Sequence, residues 1–253
     1  MRGGFFLSKE IKLIALDLDG TLVKYGEDLI SKENLMAIKS AQDAGVEVVI
    51  ATGRSRTTSL KLGQQLGVRY MINVNGGEIW TTEGELLHRH PLDRETVKQI
   101  IKIQSQYSVY SWFVSADQII RNELPVDYLD KEWLKFGFNV EDDHVRNEMI
   151  RLFSQMDSVE LSNSSLTNME LNPKGVHKAS AIEHLLDKLA LSFDQVMAVG
   201  DSINDLKMIE AAGIGVAMGN AQDTVKEVAD WETVSYDVNG VAVAIEKFVL
   251  GSN

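Results

Sequence analysis

The segment Ile11-Lys12-Leu13-Ile14-Ala15-Leu16-Asp17-Leu18-Asp19-Gly20-Thr21 decides the fold of this 253-residue chain. Near-continuous apolarity over residues 11–16 is what a strand covered on both faces requires. The strand then runs into two carboxylates, Asp17 and Asp19, two residues apart and so able to face one crevice. Gly20 lets the chain turn sharply and Thr21 offers a hydroxyl. In open α/β sheets the crevice at the carboxyl ends of the strands is where ligands bind. Taken alone, an Asp-x-Asp-Gly more often closes a strand in an Asx-type turn than carries chemistry. Its meaning depends on what the rest of the chain brings beside it.

Working outward, further β-branched apolar runs at residues 47–51 and 70–74 alternate with helical segments. Ser31 is placed to cap a helix carrying Leu35, Ile38 and Ala41, and Gly45 to end it. A second helix is expected over 56–66, closed by Gly67. The alternation returns late in the chain, with strands at 195–199 and 214–217 and helices near 203–212 and 221–228. This pattern predicts a parallel sheet with right-handed crossovers. The middle reads differently: a hairpin of 79–82 and 85–88 about Glu83-Gly84, helices over 94–106 and 144–155, and strands at 108–114 and 166–171. The expected architecture is α/β: a Rossmann-like, doubly wound parallel sheet built from residues 1–83 and 174–253, with an α+β cap inserted as residues 84–173.

Four strand ends gather polar groups. The strand at 195–199 leads into Gly200-Asp201-Ser202-Ile203-Asn204-Asp205, where Asp201 or Ser202 alone would serve as a helix cap and Asp205 as a dipole partner. Capping accounts for one acid, not for two strand ends with paired acids. Four carboxylates converging on one crevice repel one another unless a divalent cation binds or some are protonated. The strand at 47–51 delivers Thr52-Gly53-Arg54-Ser55, whose hydroxyl and amides suit phosphate oxygens at a helix start, although a threonine there is usually a plain cap. The strand at 70–74 ends in Asn75-Gly76-Gly77, either an amide-presenting turn or simply the entry to the hairpin. Lys178 stands where the core resumes after Pro173 and a helix begins.

Composition narrows the chemistry. The chain has no cysteine, so thiolate catalysis and sulfur-ligated metals are excluded, and a metal would be a hard, oxygen-bound cation such as magnesium. Acidic residues outnumber basic ones 37 to 25, and the net charge of −12 repels nucleic acid and anionic membranes. Neither is an expected partner. The apolar opening at residues 3–7 is too short for a signal-peptide core, and no later run approaches a spanning length, so a cytoplasmic location is expected. No heptad or symmetric patch marks an oligomeric state.

Together these motifs resemble the haloacid dehalogenase superfamily, in particular its Cof-like phosphatases, whose cap is inserted between the second and third motifs. The resemblance covers nearly the whole chain. It implies Asp17 as nucleophile and Asp19 as general acid/base, Thr52 as the threonine motif, Lys178 as the lysine, and Gly200 to Asp205 as the acidic motif. Asn75-Gly76 matches the family's Asn-Gly turn, and Met218-Gly219-Asn220-Ala221 its Met-Gly-Asn-Ala segment. Ala179 departs from the glycine many relatives carry, and the inserted module is short for the subgroup, so no cap residue is carried over.

The implied reaction is a magnesium-dependent hydrolysis of a small phosphorylated metabolite through an aspartyl phosphate on Asp17. Asp17, Asp201 and the main-chain carbonyl of Asp19 would hold the metal, with Asp205 and Asn204 orienting the ligands. Thr52, Gly53, Arg54, Asn75, Gly76, Asn204 and Asn220 would contact phosphate or substrate beside Lys178. Asp19 must be protonated when substrate arrives and protonates the leaving alcohol. A phosphomutase or phosphotransferase would use the same intermediate, and an idle binding protein would keep the fold without the chemistry. The cap aromatics Tyr110, Trp112, Trp133, Phe136 and Phe138 are expected in its core rather than at the pocket. His88 and His90 read as edge-strand or surface histidines.

Overall fold

A computed structural model describes residues 10–251, so the apolar opening segment at 3–7 lies outside the described residues. Thirteen strands form two sheets among them. The larger sheet contains β1 (Leu13–Leu16), β2 (Glu47–Ala51), β3 (Tyr70–Asn73), β4 (Glu78–Thr81), β5 (Leu86–Arg89), β11 (Val196–Gly200), β12 (Ile214–Ala217) and β13 (Trp231–Glu232). Its order is β13-β12-β11-β1-β2-β3-β4-β5, parallel through β3 and antiparallel across β4 and β5. All four residues of β1 are completely buried, as their unbroken apolarity requires.

From β1 the chain moves one way through α1 (Lys32–Asp43) and α2 (Arg56–Leu66) to β3. From β11 it moves the other way through α6 (Leu206–Ala211) and α7 (Asp223–Val228) to β13. Because the connections leave β1 and β11 in opposite directions along the sheet, the strand order reverses between these two strands and a crevice opens at their carboxyl ends. The register pairs Leu16 with Val199 across that switch point and with Ile50 on the other side. The loops after β1, β11 and β2 therefore open into one crevice. Helix α5 (Lys178–Leu189) begins beside it and packs on α6, and α8 (Gly240–Ile245) closes over α1. Ser31 caps α1 by accepting from the Asn34 amide, and α2 ends on Gly67 in the left-handed conformation. The helix expected over 203–212 splits, because residues 203–205 form a tight 3₁₀ turn before α6.

The smaller sheet is antiparallel, in the order β7-β6-β8-β10-β9, from β6 (Tyr110–Ser115), β7 (Ile119–Arg121), β8 (Trp133–Asn139), β9 (Val159–Ser162) and β10 (Asn168–Pro173). Helices α3 (Arg94–Gln104) and α4 (Asp143–Phe153), capped by Asp93 and Asp142, cover one face. That face holds its own apolar core, including Phe113, Phe136, Phe138, Met169 and Leu171 with Ile100, Met149 and Phe153. The sequence reading expected β6 and β10 but not β7, β8 or β9. In β8, Lys135 and Gly137 interrupt the apolar run, and the other two are short and polar at their edges. The larger sheet continues through Arg89, and Leu92 already belongs to the core of the insert. On that ground we place the start of the insert at about residue 90 rather than at 84; its end follows β10 at Pro173.

Candidate active site

Asp17 continues β1, its amide bonded to Val199 O at 3.1 Å, so the backbone ladder aims it at the crevice. Lys178 Nζ donates to Asp17 Oδ1 and to Asp205 Oδ1, each at 2.6 Å, and its side chain is wholly buried. Asp205 Oδ2 in turn accepts from the amides of Asp201 and Ser202 at 3.0 and 3.1 Å, which shapes the turn after β11. Asp17, Asp201 and Asp205 each offer a carboxylate oxygen, all within 4.8 Å of one another. Three acids at that separation face one ammonium.

The electrostatics follow from that imbalance. Burial, with the neighbouring Asp205 and Asp201 charges, pushes Asp17 well above the usual carboxylate range against the pull of Lys178. Asp201 is pushed up to about 7, chiefly by burial and then by Asp205. Burial opposes the charge on Lys178, but Asp17 and Asp205 outweigh it and hold its ammonium above the ordinary lysine range. Asp201 Oδ1 is buried with no hydrogen-bond partner. An orphaned carboxylate oxygen beside two more acids, with oxygen donors only, fits a hard divalent cation. Tyr25 donates to the other oxygen of Asp201 at 2.5 Å, and Gly20 makes room for that contact. Its φ is +80°, and a Cβ there would sit 2.5 Å from Asp201 Oδ2.

Asp19 does not join this cluster. Arg54 grips it with two parallel bonds, Nε to Oδ2 at 2.8 Å and an Nη to Oδ1 at 2.7 Å, and also reaches Asp28 and the carbonyl of Glu27. Both oxygens of the expected proton donor thus accept from a guanidinium. The side chain of Arg54, a residue expected to contact phosphate or substrate, is engaged by Asp19 and Asp28.

The remaining expected residues divide. Gly53, Arg54 and Asn204 line the crevice together with Asp17, Asp19 and Asp201. Thr52 is fully buried, outside the lining, and its hydroxyl accepts from the Arg54 amide. Asn75 and Gly76 are also outside it. Asn75 donates to Glu170 Oε2 at 2.7 Å and accepts from Asn204 at 3.2 Å, and a Cβ on Gly76 would lie 2.5 Å from His177 O at the start of α5. Asn220 donates to Gly20 O at 2.8 Å, holding the turn after β1 rather than facing the crevice. His88 lies on edge strand β5, its ring 4.3 Å from that of His184, and neither it nor His90 lines the crevice.

The cap supplies what sequence reasoning missed. Lys135 on β8 and Glu170 on β10 form a buried ion pair at 2.8 Å, and Lys135 also donates to Gly53 O at 2.8 Å. Asn172 donates to Val74 O and Leu134 O, completing a polar seam between cap and core. A charged residue amid apolar neighbours, as in Trp133-Leu134-Lys135-Phe136, was the available signal. The crevice between the layers measures about 810 Å³. Trp133, Phe136 and Phe138 are in the cap core as expected, but Tyr110 and Trp112 face the crevice.

The chain matches the family of haloacid dehalogenase-like hydrolases over residues 14–148 and 122–245. It is 44% identical over 242 residues to the 5-amino-6-(5-phospho-D-ribitylamino)uracil phosphatase YcsE of Bacillus subtilis, across 95% of this chain and 97% of that one. It is 32% identical over 243 residues to a phosphoglycolate phosphatase of Methanothermobacter thermautotrophicus, across 94% and 99% of the two chains. Among solved structures, a haloacid dehalogenase-like hydrolase from B. subtilis aligns with a TM-score of 0.84 at 26% identity, over 93% of this chain and 99% of that one.

Proposed function

This chain belongs to the haloacid dehalogenase-like hydrolases and is a phosphoric monoester hydrolase; we propose that it is magnesium-dependent and works through an aspartyl phosphate on Asp17. The observation that carries the proposal is Asp17 at the end of β1, held by Lys178 beside Asp201 and Asp205 at the point where the strand order reverses. Magnesium bound by Asp17, Asp201 and the main-chain carbonyl of Asp19 would neutralise charge developing on the phosphoryl group.

In this scheme Lys178 fixes one oxygen of Asp17, and the other attacks phosphorus in line. An O–P bond forms to Asp17 as the bond to the leaving oxygen breaks, and Asp19 protonates that oxygen. Water then attacks the aspartyl phosphate, gives its proton to Asp19, and phosphate leaves. Arg54 holds both oxygens of Asp19, and an arriving phosphate dianion offers the same guanidinium a matching fork, so substrate binding draws Arg54 toward the phosphate and frees Asp19 to meet the leaving oxygen. The reaction belongs in the cytoplasm, where charged phosphomonoesters are made and retained. The substrate is a small phosphorylated metabolite.

Phosphate release measured over a panel of phosphomonoesters, with magnesium and with a chelator, tests the proposal. The panel includes the compounds named for the two relatives. Asp17→Asn is expected to abolish turnover while leaving the fold intact. Near-normal, magnesium-dependent turnover by that variant would falsify the assignment.

A further inference from the structure

The strand β6 presents Tyr110, Trp112 and Val114 to the crevice and turns Phe113 into the cap core, as side chains alternate along a strand. Its neighbour β7 adds Ile119 opposite Val114 and Arg121 opposite Trp112. One side of the crevice is therefore an apolar and aromatic strip, with Arg121 at one edge and the Lys135–Glu170 ion pair beyond the other. The two rings lie 6.2 Å apart with a 36° tilt, and Tyr110 is 47% exposed. Across the ladder, Trp112 pairs with Gly137, where a Cβ would fall 2.1 Å from the indole. Only glycine lets the indole lie across β8. The opposite wall carries Asp17, Asp19, Arg54 and Asp201 and suits the phosphate.

From this geometry we infer that the substrate's leaving group ends in a planar, unsaturated ring, which stacks on Trp112 and Tyr110 and meets Arg121 at its edge. The inference rests on the phosphatase reading and narrows its substrate class. A ring on this wall buries apolar faces and gains an offset or tilted aromatic contact. A polyhydroxylated group lying on this strip would meet few partners beyond Arg121 and the Tyr110 hydroxyl, because the adjacent Lys135 and Glu170 are already engaged with each other, with Gly53 O and with Asn75. A two-carbon phosphoester would leave most of an 810 Å³ crevice to water.

A matched pair of compounds tests this: 5-amino-6-(5-phospho-D-ribitylamino)uracil and D-ribitol 5-phosphate, which share the phosphorylated chain and differ in the ring. For the native protein with magnesium, kcat/KM is expected to favour the ring compound by about tenfold or more, mainly through KM. Trp112→Ala should collapse that ratio toward one, Trp112→Phe should retain most of it, and Gly137→Ala, which pushes the indole aside, should mimic the alanine variant. Equal native rates for the two compounds would overturn the inference and leave the phosphatase reading standing, as would a Trp112→Ala that lowers both rates in proportion. Failure of the phosphatase reading looks different, with no phosphate released from either compound. Titrating the ring compound into the Asp17→Asn variant, followed by tryptophan fluorescence, then decides the matter. Saturable quenching that Trp112→Phe removes supports the ring site, and no quenching overturns it.

Discussion

Lys178→Met removes the single ammonium that holds Asp17 and Asp205. Each of its contacts, at 2.6 Å, is an attraction of about 6 kcal/mol at an effective dielectric near 20. The three carboxylates, with oxygens within 4.8 Å, repel pairwise by about 3.5 kcal/mol or more on the same scale. Attraction and repulsion nearly balance in the native site, so deleting the lysine leaves the repulsion uncompensated. Protonation of Asp17 and Asp201, whose carboxyls burial already pushes up, discharges much of it. The expected loss in metal-free protein is therefore that of a broken buried pair, about 3–5 kcal/mol. It should be larger near pH 8 than near pH 5.5, because Asp201, pushed up to about 7, is ionised at the higher pH and protonated at the lower. Magnesium should stabilise the variant more than the native protein, since it supplies the charge the lysine gave. Urea unfolding followed by tryptophan fluorescence, with a chelator and with magnesium at both pH values, measures all of this. A loss below about 1 kcal/mol at pH 8, or equal magnesium stabilisation of both proteins, would refute the reasoning.

Two further outcomes are expected. Glu170→Gln strands Lys135 at 3% exposure and should lower stability by about 3–5 kcal/mol in thermal or urea unfolding. Lys135→Met combined with Glu170→Met should cost less than either single change, and strict additivity of the two would count against a shared buried pair. The second concerns Asp201, whose native carboxyl sits near 7 against an ordinary 3.8. Because the folded state binds the proton more tightly, metal-free stability from this group is fullest below about pH 4. It falls by up to about 4 kcal/mol as pH rises through 7. Magnesium must displace that proton, so the midpoint for magnesium stabilisation in thermal-shift titrations should drop steadily between pH 5.5 and 7 and then level off. A midpoint unchanged over that range would contradict the shift.

The parallel core was legible because its signals are local. Apolar runs such as Leu13 to Leu16, the cap at Ser31 and the stop at Gly67 each specify their own element through hydrogen bonds and φ/ψ within a few residues. The strand ends carrying Asp17 and Asp201 were legible for the same reason, and the reversal of strand order then brings them side by side. The insert was harder to read. Its sheet is stabilised by pairing across long sequence separations, and β8 shows this, since Lys135 spoils its apolar run yet is neutralised by Glu170, thirty-five positions away.

What the sequence by itself determined was the alternation of the core, the supply of four carboxylates and one lysine, and the family chemistry they resemble. Each depends on residue type at fixed local spacing. Only the tertiary structure decided how these groups are engaged: Lys178 between Asp17 and Asp205, Arg54 on Asp19, Asn75 on the cap rather than at the crevice. It also decided which aromatics face inward, because strand alternation separates Trp112 from Phe113 but not which of them meets the site. That choice is made by the packing of helices α3 and α4 against one face of the cap sheet, which leaves the other face to the substrate.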